Sequence, residues 1–310
     1  MAQLIKLQDY ISRYEKDTFH YPGQFTRLKG QNWKKLVQTW EEQMEESAQF
    51  DQKPEEEVNH FKGWSKFFKR KDEMDREETD QDEQNMEFLP ESKDDLKQYF
   101  LDTLLPFQLK WASTTISEMS FIDQYYHQDF SLKYFLQRFP DTYLLMYYPI
   151  LKLKNGPLEG DIILISPVGI EIIKFVEMDS RKTIIAGDDR TWYSEENQVQ
   201  TRLLSPLLSL KRTEKVIKSI LSKYDIEFPI EKVVLSRTNT IEYNLVPYRT
   251  NYVGKEQHEQ WLTQKRNLVS PLKHRQLKVA ELLLNHCYTN AYKRPEWEEE
   301  TDAEDEDMLE

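Results

Sequence analysis

The chain has 310 residues, 38% of them hydrophobic, a size that holds one large or two modest domains with a real core. Its single cysteine, Cys287, excludes an internal disulfide framework, and no apolar run approaches the roughly 20 residues that span a bilayer. The opening Met-Ala-Gln-Leu-Ile-Lys lacks the basic-then-apolar layout of a signal peptide, so the expectation is a soluble protein of the cytoplasm.

Taken from the start, Leu4, Leu7, Tyr10, Ile11 and Tyr14 recur at helical spacing, as do Trp33, Leu36, Val37 and Trp40 within 33–44. His20-Tyr21-Pro22-Gly23 is a turn signal between them. Residues 1–45 are therefore expected to form a helical N-terminal segment. Residues 46–95 read as an acidic, disordered linker: 41–58 carries eight acids and one base, and 72–95 twelve acids and two bases. Inside it, residues 61–71 hold five bases and four aromatics. Such an island docks on the chain's own acidic linker or core, lies on an anionic membrane as a peripheral contact, or follows a nucleic-acid strand.

A globular domain is expected over 96–295. Leu96 to Ile122 reads as helical, broken or restarted at Pro106, and carries Glu118. Thr142 to Leu153 is rich in β-formers, with an irregularity at Pro149, and Asn155-Gly156-Pro157 turns the chain into the next strand. Residues 159–177 then form a hairpin. Asp161 opens one apolar run, Ser166-Pro167-Val168-Gly169 turns, and a second apolar run follows. Short strands are expected at 183–185 and from Trp192.

Ser205-Pro206 opens a helix with Leu210, Val216, Ile217, Ile220 and Leu221 on its buried face. Lys211, Arg212, Lys215, Lys218 and Lys223 lie on its other side, as a solvated face or a track for a phosphate backbone. A buried strand at 231–236 and a closing helix at 276–288 complete the domain. The order predicts an α/β fold, with one mixed sheet over 142–236 flanked by helices. The tail, 296–310, carries ten acids and no base and is expected to be disordered. The acidic strips together carry −27 of a net −13, which leaves the remainder at +14. They are solubilising segments, or a nucleic-acid mimic competing for basic surface elsewhere in the chain. The six scattered histidines offer no zinc spacing, and no Walker A, Rossmann or Gly-x-Ser-x-Gly pattern is present.

The hairpin and its neighbours resemble the nuclease-related domain, NERD, of the PD-(D/E)xK nuclease group, over roughly residues 110–265. Gly160-Asp161 and Ser166-Pro167-Val168-Gly169 match directly. Lys182 to Gly187, Trp192, Ser205-Pro206-Leu207 and Ser209 follow in the family's order. The resemblance implies a restriction-endonuclease-like core and a site where two carboxylates hold Mg²⁺ beside a lysine. Counted from Gly169, the family's acid falls at Lys174 and its lysine at Val176. Strand parity sets Glu171 and Glu177 on the opposite face.

Three readings follow. In the first, the chain is a catalytically inactive binding or regulatory module, needing no cofactor, with Lys174 a vestige of the site. Its partner would be nucleic acid or protein. In the second, it is a Mg²⁺-dependent DNA or RNA phosphodiesterase with relocated ligands: Asp161 with Glu177 turned inward by a β-bulge, or with Glu118. In the third, it is a protein-interaction scaffold for the acidic segments.

Overall fold

The computed structural model describes residues 1–50, 89–154 and 156–294; most of the expected linker, the 61–71 island and the acidic tail lie outside them. The strands are β1 (Gln3–Leu7), β2 (Glu118–Met119), β3 (Leu144–Tyr147), β4 (Ile150–Leu153), β5 (Gly156–Glu159), β6 (Ile162–Ile165) and β7 (Ile170–Phe175). They continue as β8 (Thr183–Ile185), β9 (Thr191–Glu196), β10 (Val199–Leu204), β11 (Ile230–Leu235), β12 (Ile241–Glu242), β13 (Thr250–Val253) and β14 (Tyr292–Lys293). The helices are α1 (Arg13–Lys16), α2 (Tyr21–Phe50), α3 (Lys93–Trp111), α4 (Tyr125–Gln128), α5 (Phe130–Gln137), α6 (Leu207–Lys223), α7 (Lys255–Arg266) and α8 (His274–Asn285). Two compact units emerge, Met1–Gly23 with Leu104–Glu310, and Gln24–Thr103.

The larger unit is a mixed α/β layer structure. Its central sheet runs β1-β3-β6-β7-β11-β13. The hairpin β6–β7 is antiparallel, turned by Ser166, whose hydroxyl accepts from the Val168 and Gly169 amides at 3.2 and 3.1 Å. β11 and β13 add in parallel. All of β6 and the first four residues of β7 are buried, as continuous apolar runs become when helices cover both faces. On one face α6 packs on β7 and β11 and touches α8. On the other, Tyr134 and Phe135 of α5 meet Phe175, and Lys265 of α7 pairs with Glu171.

Four expectations need correction. Residues 3–7 form a strand rather than a helix: β1 pairs in parallel with β3 and is buried throughout. A strand buried on both faces shows no period-2 alternation, so helical spacing of its leucines misleads. Pro106 does not break its helix, because Leu104, Leu105 and Leu109 are buried around it and packing outweighs one lost hydrogen bond. The strands expected at 183–185 and from Trp192 do not join the central sheet. They form a second sheet, β10-β9-β8-β12, seated through Trp192, 1% exposed with its ring 5.1 Å from Tyr252. Within it the chain turns from β8 to β9 past Gly187, where a Cβ would stand 2.2 Å from the Thr191 carbonyl oxygen. The helix expected through Ile122 ends at Trp111, and Glu118 lies not on a helix but on β2, paired with β14.

Two further expectations stand. The strand at 142–153 is interrupted as Pro149 predicts, with Tyr148 in the left-handed region at φ 48° between β3 and β4. Pro22 sits in the first turn of α2, where a missing N–H costs nothing, and in the smaller unit α2 includes the predicted 33–44 helix. There Trp33 packs on Phe100 at 5.2 Å, and the Trp40 indole donates to the Pro90 carbonyl at 2.6 Å.

β1 carries one charge inward. The fully buried Lys6 ammonium lies 2.6 Å from Glu15 Oε1 and donates to the Tyr10 carbonyl at 2.7 Å and to Thr289 Oγ1 at 2.9 Å. Removing one partner strands a buried charge, whereas replacing both does not. Glu15→Ala is expected to cost about 3 kcal/mol, and the double variant Lys6→Met, Glu15→Leu clearly less, as read from urea unfolding.

Candidate functional site

The site begins at Gly160. A Cβ there would stand 3.1 Å from the Pro149 carbonyl oxygen, which also accepts the Gly160 amide at 2.8 Å. That close approach sets Asp161 at the mouth of the hairpin, 2% exposed. The register pairs Ile162 with Ile173, so Asp161 stands opposite Lys174, as strand parity predicts. The Lys174 ammonium lies 3.2 Å from Asp161 Oδ1. Oδ2 accepts from the Thr213 hydroxyl at 2.9 Å, and that hydroxyl in turn accepts the Asp161 amide at 3.3 Å. Both carboxylate oxygens are therefore engaged from within the chain. The lysine side chain keeps 35% of its surface exposed against 3% for the aspartate.

Thr213 is the member that sequence reading missed. It lies three residues after Leu210 on the buried stripe of α6, and a hydroxyl within an apolar stripe is the signal that marks it. Tyr148 flanks the acid. Burial first, and then the nearby charge of Asp161, push its phenol up to about 12.

The other acids are occupied. Glu177 accepts from Arg237 through Nε at 2.7 Å, Nη2 at 2.8 Å and the backbone amide at 3.1 Å. The same guanidinium lies over the rings of Tyr134 and Phe175, at 4.7 and 4.8 Å. This forked clamp holds Glu177 on the α5 side of the sheet, away from Lys174. Glu171, on that side too, pairs with Lys265, and burial raises its carboxyl above the ordinary range despite that lysine. Glu118 pairs with Lys16 at 2.9 Å. The structure thus brings together Asp161 and Lys174 of the predicted site residues, and gives Glu177 and Glu118 other partners. Beside Thr213, Glu214 accepts from Lys218 at 2.7 Å and from Lys232 at 2.8 Å. Burial pushes its carboxyl up, but the two lysines outweigh burial and hold it below its usual value.

A resident Mg²⁺ would need several oxygen donors with free lone pairs. The donors at Asp161 are one carboxylate already bonded on both oxygens and a threonine hydroxyl, with an ammonium beside them. Val176, two residues beyond Lys174, adds no donor side chain. Among the described residues no three His, Cys, Asp or Glu side chains gather in a group able to hold a metal ion. The residues present do not fit the cation.

Residues 123–236 match the family model of the nuclease-related domain, NERD. That span contains Asp161, Lys174, Glu177 and Thr213 and stops short of Glu118. A stretch of 41 residues is 54% identical to an RNA 2',3'-cyclic phosphodiesterase of Geobacillus stearothermophilus, covering 13% of this chain and 13% of that protein. The chain thus matches only a small part of that relative's length. No solved structure matches the chain.

The unequal burial of the central pair makes a prediction. Lys174→Met leaves a buried carboxylate with one hydroxyl partner, whereas Asp161→Asn leaves a lysine free to turn to water. Lys174→Met is expected to cost about 2 kcal/mol of stability at neutral pH and Asp161→Asn distinctly less. Urea unfolding of both variants and of the native chain measures the difference.

Proposed function

We propose that this chain is a binding or regulatory module built on a nuclease-related domain, and that its hairpin site no longer cuts phosphodiesters. The observation that carries the reading is the Lys174 ammonium 3.2 Å from Asp161 Oδ1. A covalently attached cation takes the place beside the acid that a hydrated metal would need. The opposite-face acid that could replace the missing ligand, Glu177, is held by Arg237.

Without the metal, the hairpin lacks a means to acidify a water or to neutralise charge on a phosphate. What it retains is a stable sheet and a helix, α6, with Arg212 and Lys215 exposed on its outer side. The favoured partner is nucleic acid held through backbone phosphates, with a protein partner as the other outcome of a binding assay. No helix among the described residues is long and apolar enough to cross a membrane. The proposed setting is the cytoplasm, in keeping with a single, buried cysteine whose thiol burial pushes up to about 12. The 41-residue likeness to a phosphodiesterase is too short to bring that enzyme's activity to this chain.

The test is a cleavage assay on single- and double-stranded DNA and RNA with Mg²⁺ or Mn²⁺, run on the purified chain and on Asp161→Ala. The expected result is no cleavage above background from either protein. Metal-dependent cleavage that disappears in Asp161→Ala would overturn the reading and establish a nuclease with relocated ligands.

A further inference from the structure

β10, which ends the second sheet, differs from the other sheet edges. In the central sheet β1 is buried at every position and β13 at three of four. At the far side of the second sheet β12 has only two residues. β10 has six, paired to β9 in unbroken register from Val199↔Glu196 to Leu204↔Thr191. Five of the six are exposed, with Val199 at 67% and Leu204 at 79%. Among the described residues, no backbone group outside β9 bonds to it. Sheet edges are ordinarily protected by proline, a bulge, a lysine or a covering element. Among the described residues β10 has none of these. Its one charge, Arg202, is drawn back to Thr191 Oγ1 at 3.0 Å.

We propose that β10 pairs with β10 of a second copy of this chain, antiparallel about a twofold axis, and joins the two sheets edge to edge. A twofold axis normal to the sheet keeps each face continuous. Residues set opposite each other must then share a face, so the axis passes through a residue rather than between two. An axis at Arg202 would oppose two guanidiniums, which is unfavourable. An axis at Thr201 sets threonine against threonine, Val199 against Leu203 and Gln200 against Arg202. On β9, Glu195 stands beside Gln200 and accepts its amide at 2.8 Å. The arriving Arg202 therefore meets an amide with a carboxylate behind it. The apolar pair, the hydroxyl pair and the arginine–amide pair are all satisfied in that register.

The test uses the full chain. Sedimentation across a concentration series should show the mass rising from one chain to two. Thr201→Lys, which sets two ammoniums at the axis, should stay at one chain with an unchanged circular dichroism spectrum. Thr201→Cys should form a disulfide-linked dimer under mild oxidation, because residues facing across the axis lie at disulfide distance. Gln200→Cys, off the axis, should not. The native chain, with Cys287 buried, should not cross-link either. A single chain at every concentration without a Thr201→Cys cross-link would overturn the proposal. So would cross-linking through Gln200→Cys as readily as through Thr201→Cys.

Discussion

The contact on which the site depends is the one between a buried aspartate and the lysine across the hairpin from it. Asp161 is nearly without solvent, and an isolated carboxylate in that position would be costly. Three features meet to hold it in place: Lys174 from the neighbouring strand, Thr213 from α6, and the approach of Gly160 to Pro149 that fixes where the strand begins. Moving any one shifts the others. A one-residue slip of β7 would turn Lys174 to the other face and bring a hydrophobic side chain over the acid. The pair therefore specifies the hairpin register and seats α6 as well as contributing energy.

In the proposed reading the same contact also decides the chemistry. A metal-cutting site gathers negative charge around an exchangeable cation, whereas here the positive charge is tethered and the negative charge is already matched. The acids that remain nearby divide by strand parity. Glu171 and Glu177 belong to the other face and are consumed there by Lys265 and Arg237. On the α6 side, Glu214 is shared between two lysines. Each candidate ligand has a cation of its own, so assembling a metal site would mean breaking ion pairs.

Much of this was legible in the residues. Alternation along the hairpin suffices to set Asp161 beside Lys174, and Ser205-Pro206 marks the start of α6 to within a residue. Other parts were hidden for physical reasons. Strand β1 is buried on both faces and carries Lys6 inward, so neither its period nor its composition resembles an alternating strand. Glu118 follows a helix that ends at Trp111, and its pairing with β14, more than 170 residues later, is a contact that no local pattern shows. The second sheet depends on the close approach of Gly187 to Thr191 between β8 and β9 and on the burial of Trp192, contacts that no local pattern encodes. Thr213 was visible as a hydroxyl in an apolar stripe, but its partner could be named only once α6 was laid on the sheet.

The central claim, that a tethered ammonium stands where a cation would bind, is tested most directly by titrating Mn²⁺ into the native chain and into Asp161→Ala in a calorimeter. The account predicts the same weak, non-saturating heats from both proteins. Saturable binding of one ion per native chain that vanishes in Asp161→Ala would contradict it.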